Sequence, residues 1–273
     1  MDTTAPNTTS PNATAPDATA TAPATSPRPP VAVITGASRG LGLELARALA
    51  ADGRQLVITA RNPEELALAE AALRPLTTVV ALAGSVVDDE HRAQVAAAAA
   101  RLGGAALLIN NASTLNGSAD EGADPLPTLA AVPLPDLLET FEVNALAPIA
   151  LTQLLLPQLR RHAGAVLNIS SDAAVEAYPG WGGYGAAKAA LDHASAVLAE
   201  EEPRLRVWAV DPGDLRTRLH QQAFPDADLS ELPLPSSVIP AFRTLWRDRP
   251  ASGRYRAADL LADTADAAVS TGV

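Results

Sequence analysis

Val31-Ala32-Val33-Ile34-Thr35-Gly36-Ala37-Ser38-Arg39-Gly40-Leu41-Gly42 joins two kinds of chain. Its first five residues are apolar or β-branched, the composition of a strand buried on both faces. Gly36, Gly40 and Gly42 follow, and a helix begins at Leu41. Such glycines let the backbone turn sharply and come close to a bound group, and the free N–H groups and dipole of a helix start favour an anion there. A glycine turn between strand and helix therefore reads as a seat for the pyrophosphate of a dinucleotide. A turn needed only for tight packing is the plainer alternative.

Downstream, the same alternation repeats. Short β-rich apolar runs at residues 55–59, 79–82, 106–110, 165–170 and 206–210 are separated by helical segments near 41–52, 63–73, 88–102, 135–161 and 183–201. Continuous apolar strands separated by helices predict an α/β fold, a doubly wound parallel sheet of Rossmann type with helices on both faces. One domain over residues 31–260 accounts for the pattern. The chain after Pro212 is rich in proline up to about Pro250 and reads as irregular, and residues 261–273 read as a C-terminal tail. In residues 1–30 only Met1, Asp2, Asp17 and Arg28 fall outside Ala, Thr, Pro, Ser and Asn. Such a segment buries too little apolar surface to offset the entropy of ordering, so a disordered tail is expected. It lacks the basic start and apolar stretch of a secretory signal, and a cytoplasmic location is expected.

Composition narrows the function. A 48% hydrophobic share is ample for a core, and the net charge of −11 argues against nucleic acid or an anionic membrane as the main partner. There is no cysteine, which excludes disulfides and thiolate chemistry, and His91, His162, His193 and His220 show no metal-ligand spacing, so no metal is expected. No apolar run is long enough to span a bilayer.

Lys188 is the only lysine; every other basic residue is arginine. It follows Tyr184 by four, a spacing that stacks both side chains on one helix face. A compact ammonium held near a phenol stabilises phenolate, so the pair reads as a general acid/base with a lowered tyrosine pKa. On a solvated face the same pair would be incidental. The second strand ends Thr59-Ala60-Arg61, without the carboxylate that usually bonds an NAD ribose. Arg61 and Arg39 instead suit a 2′-phosphate, which favours NADP(H) over NAD(H), unless Arg61 is an ordinary solvated arginine.

Taken in order, these motifs resemble the short single-domain branch of the short-chain dehydrogenase/reductase family. The likeness covers most of residues 31–220: TGxxxGxG at 35–42, Asn110-Asn111-Ala112 after the fourth strand, Asn144, Ser171, Tyr184-x-x-x-Lys188, and Pro212-Gly213 after the sixth strand. It implies an NAD(P)-dependent carbonyl reductase or alcohol dehydrogenase acting on a small organic molecule. Tyr184 would exchange a proton with the substrate oxygen, Lys188 would lower its pKa and bond the nicotinamide ribose, Ser171 would hydrogen-bond the substrate, and Asn144 would hold a relay water. Gly36, Ser38, Arg39, Gly40, Leu41, Gly42, Arg61, Ser85, Val86 and Asn111 would line the cofactor, with Pro212, Gly213, Leu215 and Thr217 at its nicotinamide end. Plainer roles remain open: Ser171 as a turn former, Asn144 as a packing group, and Trp181 and Tyr178 as loop packing rather than pocket wall.

The sequence also departs from the family pattern. Ser113 stands where a glycine is usual, Ser85 where an aspartate is usual, and residues 116–135 are an apparent insertion expected near the active-site mouth. The family's closing strand, with its Asp-Gly-Gly signature, is expected to be missing after Gly253, which puts the usual tetramer packing in doubt. A homodimer through the helices at 135–161 and 183–201, or a homotetramer, is expected. The alternative to an enzyme is a catalytically idle dinucleotide sensor; an epimerase or dehydratase of the extended branch fits the glycine spacing less well.

Overall fold

Strand β1 (Val31–Thr35) is buried along its whole length and pairs in parallel on both edges, which is why its side chains are apolar on both faces. This computed structural model describes residues 1–2, 30–115 and 124–262. Most of both expected tails, and residues 116–123 of the insertion, lie outside the described residues. The remaining strands are β2 (Gln55–Ala60), β3 (Val79–Ala83), β4 (Ala105–Asn110), β5 (Ala165–Ile169), β6 (Arg206–Asp211) and β7 (Gly253–Arg256). They form one parallel sheet in the order β3-β2-β1-β4-β5-β6-β7. From β1 the chain winds outward to β3, then crosses back to β4 and winds the other way. The loops after β1 and β4 therefore diverge and leave a crevice at the carboxyl edge of the sheet.

Alternate strand residues serve opposite faces. Ala32, Ile34, Ile109, Leu167 and Trp208 pack beneath α1 (Gly40–Ala51) and α8 (Ile239–Asp248). Val31, Val33, Leu108 and Val166 pack against α3 (Asp89–Arg101) and α5 (Ala147–Arg161). Each fully buried side chain of this size contributes about 1.5–3 kcal/mol of transfer free energy. Helix α2 (Pro63–Leu73) starts where Asn62 Oδ1 accepts from Glu65 N at 2.7 Å and proline occupies the first turn.

Three expectations require correction. The helix expected across 135–161 is interrupted: α4 (Leu134–Phe141) passes through a π turn at Glu142–Leu146, where the Ala147 N–H bonds the Glu142 carbonyl, before α5 begins. Pro148 explains the break, because it has no N–H to offer the Asn144 carbonyl four residues earlier. The region read as irregular after Pro212 contains α7 (Arg218–Ala223) and α8, whose buried Ala241, Phe242, Leu245 and Trp246 face the sheet. The closing strand is present. β7 pairs with β6 from Trp208↔Gly253 to Asp211↔Arg256 without the family's glycines, and residues 257–262 continue as helix with Leu260 buried.

Candidate active site

The crevice is a cleft of about 1700 Å³, and it gathers every residue expected at the site except Gly42 and Asn144. Both exceptions sit directly behind it. At Gly36 φ is +65°, and a Cβ there would lie 2.9 Å from the Ala112 Cα; at Gly42 a Cβ would stand 2.3 Å from the Gly36 carbonyl oxygen. Only glycine permits this tight turn, and it leaves bare backbone facing the cleft, as a pyrophosphate needs. Asn111 braces the turn: its Nδ2 donates to the Thr35 and Gly36 carbonyls at 2.9 and 3.0 Å. The Thr35 hydroxyl accepts from the Asn111 and Ala112 N–H groups, both at 3.0 Å. The ends of β1 and β4 are thereby locked together at the crossover.

Tyr184 and Lys188 project from one face of α6 (Gly182–Glu201) into the inner end of the cleft. Tyr184 is 6% exposed and Lys188 2%, and the Lys188 Nζ lies 5.5 Å from the centroid of the tyrosine ring. That Nζ donates to the Ile169 carbonyl at 2.8 Å, at the end of β5, two residues before Ser171. Ser171 is held on both sides of its peptide. Its hydroxyl donates to Asp172 Oδ1 at 2.9 Å while accepting from the Ala173 N–H at 3.2 Å, and its carbonyl accepts from Arg254 of β7 at 2.9 Å. The turn-forming role and the site position therefore coexist in one residue.

The electrostatics correct one expectation. Burial pushes the Tyr184 phenol up to about 12, against the lowering effect of hydrogen bonds with Ser113 and Ser171. The expected depression by Lys188 is absent, because its ammonium sits over the ring and is directed at a backbone carbonyl. Burial pulls Lys188 down to about 8, opposed by the negative charge of Asp192 one turn further along α6. At neutral pH the pair is thus a protonated phenol beside an ammonium.

Asn144 lies behind the cleft wall. It is fully buried, and its carboxamide is taken: Nδ2 donates to the Thr114 carbonyl at 2.7 Å, and Oδ1 accepts from Thr114 N at 2.9 Å and from the Ser113 hydroxyl at 3.0 Å. Its side chain fastens the segment after β4 to the π turn, while Pro148 leaves its backbone carbonyl without the usual helical N–H partner. Ser113 is the residue whose role sequence reasoning missed. It stood out only as a departure from glycine, and in the structure it links Asn144 to the Tyr184 phenol.

At the opposite end of the cleft, Arg39, Arg61, Ser85 and Val86 line the wall. Arg61 forms no ion pair among the described residues, whereas Arg39 Nη1 is 2.5 Å from Glu65 Oε2. Trp181 does line the pocket: its ring meets Tyr184 edge-on at 5.5 Å and Phe224 of the α7 segment at 6.1 Å. Part of the insertion, from Asp124 to Pro133, faces the same cavity. Among the described residues no three His, Asp or Glu side chains gather as a metal site, and no helix is long and apolar enough to cross a membrane.

Comparison with known proteins fits this geometry. An uncharacterised oxidoreductase of Escherichia coli, YciK, is 30% identical over 226 residues, covering 80% of this chain and 86% of its own length. Rat sepiapterin reductase is 35% identical over 207 residues, covering 71% and 77%. The crystal structure of an alcohol dehydrogenase from the archaeon Thermococcus sibiricus, complexed with 5-hydroxy-NADP, superposes with a TM-score of 0.73 at 27% identity, over 83% of this chain and 95% of that one. The family model for short chain dehydrogenases matches residues 30–228, a span that takes in the glycine turn, the crossover cleft and the buried Tyr184–Lys188 pair, and the chain belongs to the short chain dehydrogenase family.

Proposed function

We propose that the protein is an NADP(H)-dependent carbonyl reductase or alcohol dehydrogenase in which Tyr184 gives a proton to, or takes one from, the substrate oxygen. The observation that carries this reading is the placement of a protonated phenol, the Ser171 hydroxyl and the Lys188 ammonium at the inner end of the cleft that the glycine turn opens onto. The bound nicotinamide supplies the hydride, and the protein supplies orientation and charge. Gly36, Ser38, Gly40 and Leu41 would hold the pyrophosphate, Ser85 and Val86 the adenine side, and Pro212, Gly213, Leu215 and Thr217 the nicotinamide end. In reduction the Tyr184 hydroxyl donates to the carbonyl oxygen as negative charge develops on it. The Ser171 hydroxyl turns from Asp172 to the same oxygen and steadies that charge. The Lys188 ammonium, 5.5 Å from the ring centroid, is the cation held beside the ring when the proton leaves. The preference for NADP(H) is supported by Arg39 and Arg61 at the adenine end, by the lack of a carboxylate closing β2, and by the NADP derivative bound in the Thermococcus neighbour.

Tyr184→Phe tests the reading. We expect turnover of a carbonyl substrate to fall by roughly 10²-fold or more, with nucleotide affinity little changed. Near-wild-type kcat in this variant overturns the mechanism; tight nucleotide binding without turnover of any carbonyl or alcohol points to a sensor. We further propose a homodimer formed through the outer sides of the neighbouring helices α4, α5 and α6, where Leu138, Leu154 and Val197 are exposed.

A further inference from the structure

Three donors from two distant parts of the chain converge on one carboxylate at the adenine end of the cleft. Glu65, in the first turn of α2, accepts from Ser38 Oγ at 3.4 Å and Arg39 Nη1 at 2.5 Å on Oε2, and from Arg218 Nη1 at 3.4 Å on Oε1. Ser38 and Arg39 belong to the glycine turn, while Arg218 opens α7 on the far wall and reaches Glu65 across 153 residues of sequence. All four side chains line the cleft beside Arg61. A guanidinium fork binds carboxylate and phosphate oxygens by the same geometry, so a set of donors built around one is a set of donors for the other.

We propose that Glu65 is a selectivity residue for the cofactor: its carboxylate holds Arg39 and Arg218 where an adenosine 2′-phosphate would bind, and that phosphate must take both arginines from it. The inference rests on the NADP(H) reading and deepens it by adding Arg218 to the phosphate site and Glu65 as an internal competitor. NAD(H), with a neutral 2′-hydroxyl, gains nothing from displacing Glu65 and is indifferent to it. The two members of the Glu65–Arg218 pair then act in opposite senses. Removing the carboxylate frees the cations for phosphate and relieves repulsion between like charges, whereas removing the arginine deprives the phosphate of a partner. A pair that served only to fasten α7 to α2 would be lost equally in both variants, and both would shift affinity the same way.

The test is calorimetric binding of NADP+ and of NAD+ to the full chain as wild type, Glu65→Gln and Arg218→Gln. We expect NADP+ to bind about three- to tenfold more tightly to Glu65→Gln and more weakly by a similar factor to Arg218→Gln, the scale of a partly exposed charge pair with phosphate. NAD+ affinity should stay within about twofold in both. Shifts of NADP+ affinity in the same direction, or no shift in Glu65→Gln, overturn the inference. A weaker NAD+ affinity in Glu65→Gln would overturn it too, by making Glu65 a ribose ligand. A wild-type preference for NAD+ over NADP+ would instead sink the NADP(H) reading, and the signs in the two variants would still judge the role of Glu65.

Discussion

Lys188 shows what the chemistry costs a single residue. Its ammonium is buried and held near 8 rather than its ordinary 10.5, so the fold carries an unfavourable charge below about pH 8. Between these values the unfolded chain keeps a proton that the folded chain has released, so this residue's contribution to stability grows as pH rises from about 8 to 10.5. Tyr184 has the opposite sign. Its folded value near 12 lies above the ordinary 10.0, so its contribution is complete below pH 10 and is lost as pH climbs through 12. Lys188→Met keeps the length of the side chain and removes the charge. We expect this variant to melt at least about 2 °C above wild type at neutral pH, with the gap closing toward pH 10.5. A lower Tm at neutral pH would show that the Ile169 hydrogen bond outweighs the buried charge. The same value sets the alkaline limb of activity: carbonyl reduction should decline above about pH 8 as Lys188 loses its charge, read from kcat against pH. A profile flat to pH 10 would contradict that role.

At the scale of elements, the π turn at Glu142–Leu146 decides where Asn144 points. It arises from Pro148, and the carboxamide it presents ties the Ser113–Thr114 segment beside Tyr184. Pro148→Ala restores an N–H and allows the ladder to close as regular α-helix, which rotates Asn144 away from Thr114. We expect kcat to fall about tenfold or more while nucleotide affinity is kept, because misplacement of about 1 Å beside the reacting atoms is enough for such a loss. Unchanged kcat would mean that packing, not the proline, maintains the turn. The closing strand makes a comparable contribution from the sheet edge. Arg254 of β7 bonds both the Ser171 carbonyl and Asp192 Oδ2 at 2.9 Å, and Asp192 also accepts from Ser170 at 2.8 Å. An edge strand of four residues thus helps fix Ser171 at the cleft wall.

At the scale of the whole molecule, the proposed dimer is the expectation that reaches furthest. Leu138, Leu154 and Val197 are 56%, 44% and 43% exposed on α4, α5 and α6, a run of apolar surface on adjacent helices. Sedimentation should show a dimer, and Leu154→Arg with Val197→Arg should yield monomer with the far-ultraviolet spectrum of the wild type. A wild-type protein that sediments as a monomer at all concentrations would refute the pairing. The winding of the sheet was legible in the sequence because each parallel strand, covered on both faces, must be apolar throughout, and each helix between them is a local, periodic object. The glycine turn and the Tyr184–Lys188 spacing were legible for the same reason: a backbone contact that excludes Cβ and a single helical turn are properties of neighbouring residues. Strand β7 was not legible, because Gly-Arg-Tyr-Arg at an edge carries no two-sided apolar signature and pairs only when β6 is already in place. Nor was the direction of the Tyr184 shift, since spacing puts a cation near a phenol but only the packed core determines how dry the phenol is. The partners of Glu65 and Asn144 likewise come from segments far apart in sequence, so side-chain types could suggest them but only the folded chain could choose among them.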